Sequence, residues 1–456
     1  MLLRVKNLGP VREAELDLGK PLIVLTGPNN SGKTYLAWAA YSFARLDRSR
    51  VLAPQGLRGW AERLLASPQR SLALETLFEC RGVALQAMAE TVANQLARDF
   101  AAPPDRFEET SFQLESTAEE EAAFLALDGR IVTQYTGNKE ISFDIREGRL
   151  HLLERAREIQ GEDAKPWEPG ATVDDVAQLA TMVLLGKFSE RRYVAFPVER
   201  MAINLFAREL AASSRELVDD LLNDETSDAS PSARLAKLSK SATRYPRAIH
   251  DAIQRAIRGP TVAETSRYVD LAAELETRVL DGRVSLDLDE PRFVSNRDPR
   301  ERRLGLYESA SVVKSLVSLV LYLRHDAAPR QRLVIDEPEL NLHPDNQRGI
   351  TRILAKAVNR GLKIMMSTHS DYVIRELNNL VMLSQESDEA REVMNELGYH
   401  QDEVLSRDTI EAYMVNDGVC KRLEMTKTGF ESETIEVEID KLNQDAQTIY
   451  LRLFCG

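Results

Sequence analysis

The chain has 456 residues, 43% apolar and 29% charged, which is typical of a soluble globular protein long enough for two or three domains. Its formal net charge of -13 disfavours a general binder of nucleic acid or anionic membranes. The cysteines Cys80, Cys420 and Cys455 show no metal-binding spacing, and the longest apolar-biased run, Val312 to Leu323, is too short to span a bilayer. We therefore expect a cytoplasmic protein with reduced thiols and no membrane contact.

The sequence pattern of the first 200 residues predicts both strands and helices. Residues 2–19 alternate around Gly9-Pro10 like a β-hairpin, and the apolar strand Leu22 to Leu25 leads into the loop GPNNSGKT and a helix that ends near Arg45. Helices are expected between residues 50 and 100, and a period of two from 110 to 154, with a turn at Glu147-Gly148, predicts an antiparallel sheet. A helix near 173–188 follows, and then the segment Tyr193 to Arg200, which is expected to be a strand ended by a sharp turn.

Residues 201–280 are helical in pattern, with an acidic break at 223–233, and we interpret them as a helical hairpin inserted into the α/β body. A short hairpin with a turn at Asp281-Gly282 is expected next, then a helix from about Ser309 to Arg324 and an apolar strand that begins at Leu333. A helix from about Asp345 and a strand at 362–367 follow. Beyond these, two segments resemble strands, IEAYMVND and ETIEVEI.

Residues 27–34 fit the pattern GxxxxGK[ST] between a strand and a helix, which is the arrangement of a phosphate-binding loop. Its glycines allow successive backbone N–H groups to face a phosphate, and the helix N-terminus adds partial positive charge. We expect Lys33 to reach the β- and γ-phosphates and Thr34 to ligate Mg²⁺. The residues assigned to nucleotide binding are Asn29, Asn30, Ser31, Gly32, Lys33 and Thr34.

Asp336 and Glu337 stand at the end of an apolar strand, where adjacent carboxylates are costly unless a cation or a reacting water faces them. Asp336 is predicted to hold Mg²⁺, directly or through a water, and Glu337 to polarise the attacking water. His369 ends the next apolar strand and is placed to donate a hydrogen bond to the γ-phosphate. A core or surface histidine without a catalytic role is the alternative for His369.

The segments GPNNSGKT, VIDEPELNLHP and MMSTHS together resemble the ABC-type ATPases of the SMC, RecF and OLD group, most clearly at residues 1–45 and about 300–380. The resemblance implies an α/β P-loop NTPase head with a mixed central sheet, an antiparallel β lobe and an inserted helical hairpin. Residues 1–200 and 281–456 then form the two halves of the head, and 201–280 the insertion. ATP and Mg²⁺ are the implied cofactors.

In this family two heads sandwich two ATP molecules, and a signature helix of the opposite subunit completes each site. The matching segment is Tyr307 to Leu316, where Ser309-Ala310-Ser311 replaces the usual Ser-Gly-Gly. We expect Ser309 and Ser311 to cap the helix and to offer hydroxyls and amides to the γ-phosphate of a neighbour's ATP. This implies a homodimer or a higher homo-oligomer, whereas a buried helix with an N-cap is the alternative.

The resemblance also covers a D-loop, Asn341-Leu342-His343-Pro344, in which we interpret His343 as an interface or structural residue and not a catalyst. The family's Q-loop glutamine has no match in this sequence. In chain order its place is taken by the turn that ends at Arg200, so that Glu199 or Arg200 is expected to replace it.

OLD nucleases carry a TOPRIM domain after the last ATPase strand, but this sequence has no spaced Glu and Asp-x-Asp set, so we expect that domain to be absent. A head with a short helical insertion resembles the stand-alone ATPase subunits of the anti-phage systems PARIS and Septu. That resemblance implies a separate effector, a nuclease, held or released according to the ATPase state. Two alternatives stay open: a RecF-like DNA-repair clamp, and a scaffold that binds ATP with little turnover.

The segment Arg234 to Arg258 is basic, with Asp251 as its single acid, on an otherwise acidic chain. A nucleic acid or an acidic protein partner would use such a segment. The interpretation that we favour is a solvated helix face neutralised by the acidic turn that precedes it.

Overall fold

The computed structural model describes residues 1–136, 139–156, 170–186, 193–207, 209, 245–259, 266–287, 290–431 and 433–454. The hairpin expected within 201–280 therefore lies largely outside the described residues, together with its acidic break at 223–233. Within the described residues, no helix combines the length and the apolar character that crossing a membrane requires.

A nine-stranded mixed sheet forms the centre of the molecule, in the order β5-β1-β2-β16-β15-β3-β14-β13-β9. Its strands are β1 (Leu2–Leu8), β2 (Val11–Asp17), β3 (Leu22–Thr26), β5 (Ser111–Glu115), β9 (Tyr193–Phe196), β13 (Arg332–Asp336), β14 (Lys363–Ser367), β15 (Ile410–Asn416) and β16 (Val419–Arg422). The run β15-β3-β14-β13-β9 is parallel, and the hairpin β1-β2 with β5 is antiparallel. Parallel strands bring their carboxyl ends to one edge, which is where the loops after β3, β13 and β14 meet.

The parallel strands are buried on both faces because helices cover each side of the sheet. Alternate residues of β3 show this: Ile23 and Leu25 belong to one apolar core, whereas Leu22 and Val24 belong to another on the opposite face. This is the period-two geometry of a strand with no solvent-facing side, and it explains why β3 is apolar throughout.

Helices connect and cover the strands. They are α1 (Lys33–Arg45), α2 (Gln55–Ala66), α3 (Leu74–Phe78), α4 (Arg81–Ala93), α5 (Leu96–Asp99), α6 (Ala118–Leu125), α7 (Val173–Gly186), α8 (Arg247–Arg258), α9 (Val269–Leu275), α10 (Ser311–Leu321), α11 (Pro344–Asn359), α12 (Asp371–Met382), α13 (Asp388–Leu397) and α14 (Glu433–Phe454). Residues 200–207 are also helical. Short 3-10 turns lie at Arg48–Arg50, Pro104–Phe107, Leu306–Glu308 and Gln401–Glu403, and π turns at Glu276–Leu280 and Tyr322–Asp326.

A separate four-stranded sheet, in the order β4-β8-β7-β6, forms the expected antiparallel lobe. Its strands are β4 (Ser71–Ala73), β6 (Gly129–Thr136), β7 (Lys139–Arg146) and β8 (Arg149–Ala156). The predicted fold class, an α/β head with a mixed central sheet and an antiparallel lobe, is thereby confirmed. The period of two places β5 in the antiparallel lobe, but β5 pairs with β1 in the central sheet, where Phe112 and Leu114 are buried.

Two further expectations are wrong. Asp281-Gly282 is not a hairpin turn: Asp281 has a φ of 49° and ends the preceding helix, and the hairpin is formed by β10 (Gly282–Asp287) and β11 (Glu290–Ser295), next to β12 (Leu304–Gly305). The segment ETIEVEI is not a strand but the start of α14. Alternation over seven residues fits either state, and the apolar residues that follow continue at helical spacing.

Candidate nucleotide-binding site

The loop after β3 has a backbone that only glycine can adopt at its first position. Gly27 has a φ of 135°, and a Cβ atom there would lie 2.1 Å from the Val415 carbonyl oxygen. Asn30 and Gly32 also have positive φ, at 60° and 106°. The N-cap of α1 is Gly32, so no side chain caps the helix. Its first turn also contains no acidic residue. The helix N-terminus therefore presents its amide groups to an anion.

Lys33 is folded back onto this loop. Its Nζ donates to the carbonyl oxygens of Gly27 at 3.0 Å and Pro28 at 2.7 Å, and only 6% of the residue is exposed. Burial lowers the Lys33 pKa to about 8, and the carboxylates of Glu337, Asp336 and Glu339 oppose that change. The ammonium group thus lies within electrostatic reach of the acids that follow β13.

Asp336 ends β13 and is 3% exposed, with its Oδ1 accepting a hydrogen bond from Ser367 Oγ at 2.9 Å. Burial raises the Asp336 pKa to about 6. A carboxylate whose charge is disfavoured by burial is one that a nearby cation stabilises. Its hard oxygen atoms and the half-buried Thr34 hydroxyl are the ligand types that Mg²⁺ prefers, so this chain's residues fit the ion.

Glu337 adopts a left-handed backbone conformation, with a φ of 47°. Its N–H donates to the Ser367 carbonyl oxygen at 3.1 Å, and its Oε1 lies 3.7 Å from His369 Nε2. The side chain is 32% exposed, so it is open to solvent on one side. Left-handed backbone at a residue other than glycine or asparagine is strained, and such strain persists where surrounding contacts enforce it.

His369 faces the same cluster from the loop after β14. Its backbone N–H donates to Glu339 Oε1 at 3.0 Å, and its side chain is 30% exposed. Burial and the Lys33 charge lower the His369 pKa, against the opposing effects of Glu337 and of a hydrogen bond with the Gly27 backbone. The neutral imidazole is therefore the form that the site favours.

Arg200 fixes the two acids through their backbone. It is 2% exposed, and its Nη1 and Nη2 atoms donate to the carbonyl oxygens of Asp336 and Glu337, each at 2.6 Å. Burial lowers the Arg200 pKa to about 10, and Glu339, Asp336 and Glu337 oppose the change. The sequence marks Arg200 only by its place in chain order, and the structure assigns it a positioning contact.

Glu339 is a site residue that sequence reasoning missed. It is 9% exposed, and its Oε1 accepts from Thr368 Oγ1 at 2.7 Å and from the His369 N–H at 3.0 Å. Among the described residues, its Oε2 has no hydrogen-bond partner. Glu339 joins the loops after β13 and β14, and the available signal was a third acid just after Asp336 and Glu337.

The structure places the two signature serines differently. Helix α10 begins at Ser311 with Ala310 at its N-cap and no side-chain cap, so the expectation that the serines cap the helix is wrong. Ser309 is buried, and its hydroxyl donates to the Gly305 carbonyl oxygen at 2.8 Å. Ser311 is exposed in the first turn of α10.

The chain just before the expected D-loop contacts this helix. Ser315 Oγ of α10 donates to the Leu340 carbonyl oxygen at 3.4 Å. His343 is the N-cap of α11, and its Nδ1 accepts from the Asp345 N–H at 3.4 Å. His343 therefore has a structural role in the chain itself.

The basic segment is only partly described, because residues 234–244 lie outside the described ranges. In α8, Arg247 forms an ion pair at 3.2 Å with the buried Asp99, and Arg255 lies 5.0 Å from the Phe196 ring centre. These two arginines pack into the protein, so a fully solvated helix face is wrong for this part of the segment.

Residues 267–374 match the family model of an AAA ATPase domain. This stretch contains Asp336, Glu337 and His369, but it begins at residue 267 and so does not include the loop at 27–34. No curated protein matches the chain.

Three solved structures of SMC heads are similar to the chain. One, from Pyrococcus furiosus, is an Smc head domain with an extended coiled coil bound to the C-terminal domain of ScpA; it is 12% identical, with 98% of both chains covered and a TM-score of 0.30. A second, an SMC head bound to the C-terminal winged-helix domain of ScpA, is 12% identical with 92% of this chain and 96% of that chain covered and a TM-score of 0.31. The SMC head domain from Thermotoga maritima is 10% identical, with 93% and 98% covered and a TM-score of 0.28.

Proposed function

We propose that this chain is an ATP-binding and ATP-hydrolysing head of the ABC type that pairs with a second copy of itself around ATP. The observation that carries the proposal is the convergence of Lys33, Asp336, Glu337 and His369 at one edge of the parallel sheet. The partial match to an AAA ATPase domain agrees with it.

Binding would begin at the loop of residues 27–34. Lys33 would exchange its bonds with the Gly27 and Pro28 carbonyl oxygens for the β- and γ-phosphates, which offer full negative charge in place of partial charge. Asn29, Asn30, Ser31 and Gly32 would contribute backbone N–H groups. Mg²⁺, held by Thr34 and Asp336, would neutralise charge on the phosphates.

Hydrolysis would depend on Glu337 and His369, whose side chains approach to 3.7 Å. The Glu337 carboxylate would orient a water for attack on the γ-phosphate, and the neutral imidazole of His369 would donate a hydrogen bond to a γ-phosphate oxygen. Glu339 holds the His369 backbone and Arg200 holds that of Glu337, so both groups are positioned before the nucleotide arrives.

Self-association follows from the signature segment. Ser311 lies exposed at the start of α10, where a helix N-terminus suits the γ-phosphate of a neighbour's ATP. The N–H and the hydroxyl of Ser309 already donate to Leu306 and Gly305, so Ser309 would hold the approach to α10 in place. We further propose that the paired state holds or releases a separate effector, a nuclease, in cytoplasmic anti-phage defence. This last step rests on the resemblance to the PARIS and Septu ATPase subunits and is an analogy.

A comparison of Glu337→Gln with Lys33→Ala tests the proposal. We expect Glu337→Gln to bind ATP, to release no phosphate and to gain mass by light scattering when ATP and Mg²⁺ are added. Lys33→Ala is expected to keep its nucleotide-free mass. The same mass for both variants with ATP, or phosphate release by Glu337→Gln at the wild-type rate, would overturn the proposal.

The effector step needs its own experiment. The nuclease encoded next to this chain, where there is one, is co-expressed with wild-type, Glu337→Gln or Lys33→Ala protein, and its activity on DNA and RNA is measured. A nuclease whose binding and activity are the same with all three contradicts regulation by the ATPase state. It leaves the ATPase proposal intact.

A further inference from the structure

Helix α14 is a 22-residue element whose second half has no covering layer in the described structure. Every residue from 441 to 454 is exposed, including the large apolar side chains of Leu442 at 68%, Ile449 at 57% and Leu453 at 71%. Apolar side chains in such a row are unfavourable in water and mark a surface that another molecule covers.

Six apolar residues of α14 follow a heptad repeat. Along the helix the steps between these six alternate between four and three residues, which places them on one stripe of a coiled coil, whereas Tyr450, Leu451 and Phe454 lie outside it. The stripe consists of Ile435, Ile439, Leu442, Ala446, Ile449 and Leu453.

The composition of α14 also argues for a partner. Thr434, Val437 and Thr448, in addition to the isoleucines of the stripe, are β-branched and have modest helix propensity. A helix of this kind is only marginally stable in water by itself, and packing of its apolar face supplies most of its stability.

We propose that α14 forms an antiparallel two-stranded coiled coil with α14 of a second copy of this chain. The stripe is the same when read in either direction. In the register of the sequence, position 435 falls opposite the partner's Leu453, position 439 opposite the partner's Ile449, and Leu442 opposite the partner's Ala446, so that each layer occurs twice about a two-fold axis. The central layers combine a large and a small side chain.

Charge selects the antiparallel direction. In that arrangement the register of the sequence brings position 438, a glutamate, level with the partner's Arg452 beside the seam, and symmetry repeats this pair at the other end. A parallel pair would instead place the acidic first half, with Glu433, Glu436, Glu438 and Asp440, beside its own copy. It would also leave Glu438 and Arg452 about 21 Å apart along the axis. Antiparallel helices have opposed dipoles in addition.

This pairing differs from the ATP-dependent pairing of the heads, because it needs no nucleotide. It would hold heads at a high effective concentration, so that ATP joins the heads of different assembled pairs and raises the mass above that of one pair. Asp445 lies near the two-fold axis and meets its own copy there, which is an unfavourable contact that limits the stability of the pair.

Light scattering of the full chain without nucleotide tests the seam. The wild type is expected at twice its 51.3 kDa mass, and Leu442→Asp with Ile449→Asp at the monomer mass. Leu451→Asp is the matched control, since Leu451 lies on the same helix, is 51% exposed and is outside the stripe. A monomeric wild type, a dimeric double variant, or equal dissociation by Leu451→Asp would overturn the proposal. Unchanged thermal unfolding of the double variant confirms that its fold is intact.

Charge reversal tests the direction. Glu438→Arg alone is expected to weaken the dimer at least tenfold, and Glu438→Arg with Arg452→Glu to restore it, because only antiparallel helices bring these positions together. Asp445→Asn is expected to tighten the dimer. A double reversal no tighter than the single one would overturn the antiparallel arrangement.

The two pairings are separated by combining variants. Glu337→Gln in the Leu442→Asp, Ile449→Asp background is expected to be a monomer without nucleotide and a dimer with ATP. A gain of mass with ATP only in the presence of an intact seam would show that the heads do not pair by themselves. That outcome would count against the proposed function and leave the coiled coil in place.

Discussion

The guanidinium of Arg200 donates to the Glu337 carbonyl oxygen at 2.6 Å, although 137 residues separate them in sequence. A second bond of the same length runs to the carbonyl oxygen of Asp336. These bonds tie the turn after β9 to the end of β13, and they fix the backbone carbonyl groups of Asp336 and Glu337. Glu337 keeps its left-handed conformation within this clamp.

Replacement of Arg200 by lysine therefore tests whether the clamp positions Glu337. A lysine ammonium lacks the planar fork that reaches two carbonyl oxygens at once. We expect Arg200→Lys to lower the free energy of unfolding by about 2–3 kcal/mol, since buried polar groups lose their partners. Turnover is expected to fall at least tenfold with little change in ATP affinity. Urea unfolding, phosphate release and nucleotide titration measure the three quantities.

Arg50→Lys is the matched control, because Arg50 has a 57% exposed side chain. It should leave both stability and turnover near the wild-type values. A loss of stability without a loss of turnover per folded molecule in Arg200→Lys would restrict Arg200 to a structural role.

Gly27→Ala tests the shape of the phosphate loop. The added Cβ would lie 2.1 Å from the Val415 carbonyl oxygen at a φ of 135°, so the loop and β15 must move apart. We expect loss of measurable ATP binding and a destabilisation of about 2 kcal/mol or more. Isothermal titration and urea unfolding measure these effects.

The control for that substitution is Gly59→Ala in α2. A Cβ atom at Gly59 meets nothing within 4 Å, and alanine is the better helix former, so this variant should gain about 0.5–1 kcal/mol and bind ATP normally. Normal ATP binding by Gly27→Ala would contradict the assignment of this loop.

Local patterns were sufficient where short-range physics determines the structure. The strand β3 is apolar from Leu22 to Leu25, and the loop after it matches a known phosphate-binding pattern, so the strand, the loop and a following helix that ends near Arg45 were predicted. The acid pair at the end of β13 and His369 after β14 were found in the same way, from apolar runs that end in polar residues.

Contacts between distant segments were not predictable from such patterns. The clamp by Arg200 requires that β9 lie next to β13, and the bridge by Glu339 requires that β13 lie next to β14. Neither neighbour relation is encoded in local periodicity. The prediction that serines cap α10 was wrong by a small shift. The helix begins at Ser311, so that Ala310, and not Ser309, occupies the N-cap position.

A buried charge network away from the site predicts a purely structural effect. Glu376 is 1% exposed and accepts hydrogen bonds from Arg348 and Arg352, which tie α11 to α12. Glu376→Ala leaves the 5% exposed Arg352 without this partner, so we expect a loss of about 3–5 kcal/mol in urea unfolding.

Asp388→Ala removes an exposed partner of Arg391 and is the control for this charge deletion, with an expected change below about 0.5 kcal/mol. Turnover per folded molecule should be unchanged in both variants. A cost for Glu376→Ala no larger than that of Asp388→Ala would show that the network does not stabilise the fold.

His369→Asn separates catalysis from binding at the site. The amide is able to keep a polar contact with the phosphate but not the chemistry or reach of the imidazole, so turnover is expected to fall about 100-fold while ATP affinity changes little. Phosphate release and nucleotide titration measure the two. Equal losses in affinity and turnover would mean that His369 acts in binding and not in the chemical step.

His369 also predicts a difference in the pH dependence of stability. Its pKa in the folded chain is below the ordinary value of 6.5, so the unfolded chain binds more protons as the pH falls through 6.5. The free energy of unfolding should therefore decrease with falling pH in that window, and His369→Asn should lack this component. Urea unfolding of both proteins between pH 5 and pH 8 measures it. Parallel curves would contradict the burial of a neutral imidazole beside Lys33 and Glu337.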